Sequence, residues 1–150
     1  MKFPTLSALL AACMLSSAAI ADDAADFDAA LAERYRAVEA AIEARDGARW
    51  FRELYDDDIV LAGEGSPAAV RGREALMPVI AEIVRTTRSC TLTPDPARGQ
   101  SGALGYSFVT YDCAPDDASA PRYQVRALFV WARKAPGWRV VAETYLMGRM

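Results

Sequence analysis

Three long segments of alternating polarity, Leu104 to Cys113, Arg122 to Arg133 and Trp138 to Met147, constrain what this chain can become more than any other feature. Alternation at period two gives a strand with two distinct faces. Ala135-Pro136-Gly137 leaves room only for a tight reversal between the last two segments. Strands joined in that way are antiparallel neighbours, so this half of the chain builds a meander with a face to cover. Cys90 to Thr93 adds a short strand ahead of them, interrupted by Pro94 and Pro96, which suit an edge or a bulge.

The first half supplies the cover. Phe27, Leu31, Tyr35, Val38 and Ile42 recur at helical spacing and predict one buried stripe. Asp46-Gly47 ends that helix, with Gly47 suited to a left-handed position. A short second helix buries Trp50, Phe51, Leu54 and Tyr55. Asp56-Asp57-Asp58 marks a break, and Ile59 to Ala62 reads as a strand. Arg73 to Arg85 predicts a third helix with Leu76, Val79, Ile80 and Ile83 on one face. Pro78 either starts that helix late or kinks it. Helices gathered against an antiparallel meander make an α+β domain.

Residues 1–21 read differently. Lys2, the apolar stretch from Leu6 to Ile20 and the small-x-small pattern Ala19-Ile20-Ala21 are those of a secretory signal peptide. The expected organisation is a leader at 1–21 and one domain at 22–150, periplasmic or secreted. Leu10-Ala11-Ala12-Cys13 offers the alternative of a lipoprotein anchored at Cys13. Without the leader, which holds one Lys and no acidic residue, 16 basic side chains face 20 acidic ones. That mild acidity gives no reason to expect nucleic acid as a partner. No remaining apolar run is long enough to span a bilayer.

The chain has no histidine, which excludes Ser-His-Asp and Cys-His catalysis and His-ligated zinc. No phosphate-binding loop, dinucleotide-binding glycine pattern or EF-hand loop is present, so no cofactor and no metal is expected. Asp56-Asp57-Asp58 is a cluster of hard oxygen donors, but adjacent side chains point apart, and helix-end hydrogen bonding and solvation explain it better. Cys90 and Cys113 are left for one disulfide or two buried thiols. A turn centred on Ser101-Gly102 sets them opposite one another, and an oxidising compartment favours the disulfide. The two prolines stand in the way of a perfect ladder over that span.

Leu54-Tyr55-Asp56-Asp57-Asp58-Ile59-Val60, Arg71-Gly72-Arg73-Glu74-Ala75-Leu76, Ala103-Leu104-Gly105-Tyr106, Phe129 to Lys134 and Gly137 to Val141 occur in this order. The combination resembles the nuclear transport factor 2-like superfamily, especially its SnoaL-like and bacterial unknown-function branches, from Ala30 to Met147. The resemblance implies a cone-shaped fold: three N-terminal helices packed on a curved, mostly antiparallel sheet, with a pocket between them. It also implies a homodimer formed through the outer sheet face. It does not specify an activity, because the superfamily hosts isomerases, cyclases, hydrolases, binding modules and oligomerisation domains.

A final hairpin turning at Ala135 and Pro136 sets Trp131 opposite Val140, Phe129 opposite Ala142 and Ala127 opposite Thr144. Val125, Phe129, Trp131, Trp138 and Val140 then look inward, while Leu128, Val130, Val141, Glu143 and Tyr145 look outward. Functional pockets in such folds combine an apolar lining with a carboxylate and tyrosines. The candidates for the apolar wall are Trp50, Tyr55, Phe108, Phe129 and Trp131. The candidates for chemistry are Asp112, Glu143 and Tyr106, as a general base beside a tyrosine that stabilises an oxyanion. Against this, most aromatic residues in a small domain are core, Asp112 lies at a solvated strand end, and Glu143 has Arg126 or Arg139 to pair with. The leading expectation is a protein that binds a small apolar molecule. The alternatives are a cofactor-independent isomerase, cyclase or hydrolase, and a protein-interaction module.

Overall fold

A computed structural model describes the backbone of residues 7–148 and the side chains of residues 24–148. The leader residues, with the cleavage site at Ala21 and the alternative at Cys13, lie outside the described side chains. The chain runs α1 (Ser7–Glu43), α2 (Gly47–Leu54), β1 (Tyr55–Gly63), β2 (Val70–Arg71), α3 (Gly72–Thr86), β3 (Thr87–Ser101), β4 (Leu104–Pro115), β5 (Tyr123–Lys134) and β6 (Gly137–Met147). Among the described residues, no helix is long and apolar enough to cross a membrane.

The six strands form one sheet in the order β2-β1-β6-β5-β4-β3. All neighbours are antiparallel except β1 and β6, which run parallel. Three helices and a largely antiparallel sheet match the expected composition of the fold, but the expected cone does not form. The sheet is open, neither closed nor strongly curled, with β2 at one edge and β3 at the other. Closure requires the edge strands to pair and the register to stagger around a barrel. Here β2 is two residues long, and it pairs with β1 alone.

The apolar stripe of α1 packs as its spacing predicts, with Phe27, Leu31, Tyr35, Val38 and Ile42 all buried. The helix approaches the sheet so closely that a Cβ on Gly105 would come within 2.7 Å of Phe27 Cζ. The turn after α1 differs from expectation. Arg45, not Gly47, takes the left-handed conformation, at φ 56°. Asp46 then caps α2 by accepting a hydrogen bond from the Arg49 N–H. Gly47 opens α2, where a Cβ would meet Ile80 of α3 at 3.0 Å. Pro78 lies inside an uninterrupted α3. Its ring is exposed, so water can serve the carbonyl that a proline leaves without an N–H.

Two bulges decide which side chains share the covered face. Trp131 pairs with Val140 as expected, but Val130 pairs with Ala142, so Val141 has no opposite residue. Beyond that bulge Phe129 faces Glu143, not Ala142, and Ala127 faces Tyr145, not Thr144. Directly opposed residues share a face, so Glu143 and Tyr145 turn from the outer face to the covered one. On the other side of the sheet, the β3–β4 turn lies at Gly102-Ala103, one residue later than expected. Two extra residues among Asp95, Pro96 and Ala97 restore the register, and Cys90 still opposes Cys113. The two cysteines are bonded.

Ser107 is the polar centre of the core. It is fully buried and hydrogen-bonds both the Tyr35 hydroxyl and the Trp131 indole N–H, each at 2.8 Å. This explains why β4 turns its Ser107-Val109-Tyr111 side inward. The side that carries Leu104, Tyr106, Phe108, Thr110 and Asp112 faces out.

Candidate functional site

A cavity of about 300 Å³ lies between α3 and the covered face of the sheet. Leu76, Val79, Ile80 and Ile83 of α3 form one wall, as their helical spacing predicts. Strands β1, β3, β4, β5 and β6 supply the opposite wall, which includes Leu61, Tyr111, Val125, Tyr145 and the Cys90–Cys113 disulfide. Trp50 of α2 and Tyr55 at the start of β1 complete it. Val79 is 40% exposed and Met147 50% exposed, which puts these two lining residues at the mouth.

Among the described residues, Glu143 is the one carboxylic acid in this lining, and no Lys or Arg lines it. The Tyr55 hydroxyl donates to Glu143 Oε2 at 2.6 Å. Burial pushes the Glu143 carboxyl up to about 7, against the opposing effect of the Tyr55 hydrogen bond. The residue retains some accessible area because its surroundings include the cavity itself. Tyr55 and Tyr111 are held well above the ordinary phenol range, chiefly by burial and then by the nearby Glu143 charge. The Trp50 indole N–H and the Tyr111 hydroxyl are buried and have no hydrogen-bond partner among the described residues. Most buried polar groups have such a partner, so two orphans in one cavity wall are a feature to explain.

Of the residues read from the sequence, Trp50, Tyr55 and Glu143 come together here. Phe129 and Trp131 are fully buried beneath α1, in ring contact with each other and with Tyr35, and do not line the cavity. Tyr106 and Phe108 pack edge-to-face on the outer side of the sheet, where Tyr106 is 46% exposed. Asp112 shares that outer side and accepts hydrogen bonds from Arg122 and Gln124. Period two puts all three on the opposite face from Tyr111. Asp56 and Asp57 pair with Lys134 and Arg73 respectively. Among the described residues, no group of three or more His, Cys, Asp or Glu side chains is placed to hold a metal.

Sequence reasoning missed Tyr111, Tyr145 and the disulfide as parts of this wall. Tyr111 was not legible, since its face of β4 turns inward together with Ser107, four positions away, whose partners Tyr35 and Trp131 are distant in sequence. Nor was Tyr145, since only the Val141 bulge turns it inward.

No family model matches the sequence, and no curated protein is significantly similar to it. Solved structures are. A ketosteroid isomerase-like protein from Erwinia carotovora atroseptica superposes with a TM-score of 0.66 at 19% identity, covering 85% of this chain and 98% of its own. The fold matches the nuclear transport factor 2-like superfamily. A superfamily protein from Salmonella enterica gives 0.61 at 18% identity, over 79% of this chain and 88% of its own. A protein of unknown function from Silicibacter pomeroyi with the same kind of fold gives 0.64 at 13%, over 83% and 98%. At these identities the likeness concerns the nuclear transport factor 2-like fold alone, which serves many chemistries.

Proposed function

We propose that the protein binds a small, largely apolar molecule in the cavity beneath α3. The observation that carries this reading is a largely apolar concavity with one carboxyl, Glu143, in its wall, held by the Tyr55 hydroxyl. Ligand sites are typically apolar concavities with a few placed polar atoms, and about 300 Å³ is at the small end of their range. Titration with N-phenyl-1-naphthylamine, a neutral fluorophore that brightens in dry apolar sites, tests it. Val79→Trp at the mouth lowers the affinity at least tenfold, whereas Leu104→Trp on the outer sheet face leaves it unchanged. Equal affinity in all three proteins refutes the site.

A second reading, acid–base catalysis without a cofactor, is favoured by Glu143. A carboxyl held near neutrality and bonded to Tyr55 has the properties of a general base at pH 7. In this reading the base is Glu143 with Tyr55 or Tyr111 as the hydroxyl partner, while Asp112 and Tyr106 remain on the far side of the sheet. The SnoaL-like branch is the finer placement in keeping with it. The outer face carries exposed Leu104, Tyr106 and Leu146 and supports a second copy of this chain as its partner, which sedimentation velocity checks. The leader supports export and cleavage after Ala21, with Cys13 lipidation the alternative, and the mass of the mature protein distinguishes them.

A further inference from the structure

Glu143 is a buried acid with no counter-charge beside it among the described residues. The titratable side chains that share the cavity wall with it are Tyr55 from β1, Tyr111 from β4, Tyr123 from β5 and Tyr145 from β6, while Phe129 lies directly opposite it on β5. From β3 comes only the bonded Cys90, and α2 and α3 contribute Trp50 and aliphatic side chains. Tyr123 is already engaged with the Thr87 hydroxyl at 2.6 Å. An anionic ligand would find no cation among the described residues of this wall and would meet Glu143 as a like charge. A positive ligand meets the opposite conditions. Buried charges are stable when paired, and the faces of tryptophan and tyrosine rings attract cations.

We propose, resting on the small-molecule reading above, that the ligand is an organic ammonium ion. Its charged nitrogen pairs with Glu143 within the aromatic wall of Trp50, Tyr55 and Tyr111, and its apolar body fills the space against α3. Such a ligand needs the carboxylate form of Glu143, so binding expels the proton that the empty site holds below about pH 7. Affinity therefore rises with pH across neutrality, by about tenfold between pH 6 and pH 8 for a group that titrates near 7. A neutral ligand of the same shape lacks that dependence.

Isothermal titration calorimetry of the purified chain with 2-phenylethylamine and its neutral counterpart 2-phenylethanol, each at pH 6 and pH 8, tests the assignment. The amine is expected to bind more tightly than the alcohol at pH 8 and to weaken about tenfold at pH 6, with proton release visible as a buffer-dependent heat. Glu143→Gln, with its fold verified by circular dichroism, is expected to lose at least tenfold in amine affinity at pH 8. The wild-type comparison stands even where that variant does not fold. An alcohol that binds as tightly as the amine at pH 8, or an amine affinity flat with pH, overturns the ammonium assignment and leaves the small-molecule reading intact. Failure of both compounds and of the naphthylamine probe overturns both.

Discussion

Glu143→Gln should make the protein more stable at alkaline pH and leave it nearly unchanged at acid pH. In the folded chain the carboxyl titrates at about 7, against an ordinary value of 4.5. Between those values the native state holds a proton that the unfolded state has released, so stability falls as pH rises through the window. Below 4.5 both states are protonated and the residue carries no penalty. Above 7 the native state must bury a carboxylate, and the penalty is complete. Each unit of displacement is worth about 1.4 kcal/mol, which makes the full penalty about 3 kcal/mol. Glutamine keeps the shape and can still accept the Tyr55 hydrogen bond, but it carries no charge at any pH. Urea denaturation of both proteins at pH 4.5 and pH 8 measures the effect. The depressed carboxyls of Asp28 and Asp56 make the opposite contribution, but they are present in both proteins and cancel in the difference. The variant should gain about 3 kcal/mol relative to wild type on going from pH 4.5 to pH 8. A difference that does not change with pH would mean that Glu143 is solvated in the native state, and the argument from its burial would fail.

Two further substitutions probe the frame around the cavity. Ser107→Ala strands the Tyr35 hydroxyl and the Trp131 N–H in a dry core and should cost about 3 kcal/mol by urea denaturation, since each orphaned group costs roughly 1–3 kcal/mol; a loss below 1 kcal/mol would show that these groups find other partners. Replacing Cys90 and Cys113 together by Ala opens a loop of 23 residues' separation, which should cost roughly 3 kcal/mol and, because both residues line the cavity, should also weaken binding of the naphthylamine probe.

What could be read from the chain divides along a physical line. Local periodicity determined the helices of the first half and the meander of the second, because an apolar stripe at 3.6 or 2.0 residues is written in consecutive positions. The stripe Phe27 to Ile42, the α3 face of Leu76 and Ile80, and the opposition of Cys90 and Cys113 were all legible in that way. The cysteine pairing was reached through a turn placed one residue early, and the bulge at Asp95 to Ala97 compensates for it. The open shape of the sheet was not legible, since strand patterns do not say whether edges meet. Nor were the faces of β4 and the end of β6. On β4 the side with the large Leu104, Tyr106 and Phe108 faces out, while buried Ser107 on the other side meets Tyr35 and Trp131, partners 72 and 24 residues away. On β6 a single unpaired residue, Val141, reverses every side chain after it, and carries Glu143 from the solvent side to the cavity. The sequence by itself determined which residues were strand, helix and core stripe. Only the tertiary structure decided which face Glu143 occupies, because a bulge is a property of two paired strands and leaves no periodic trace in either.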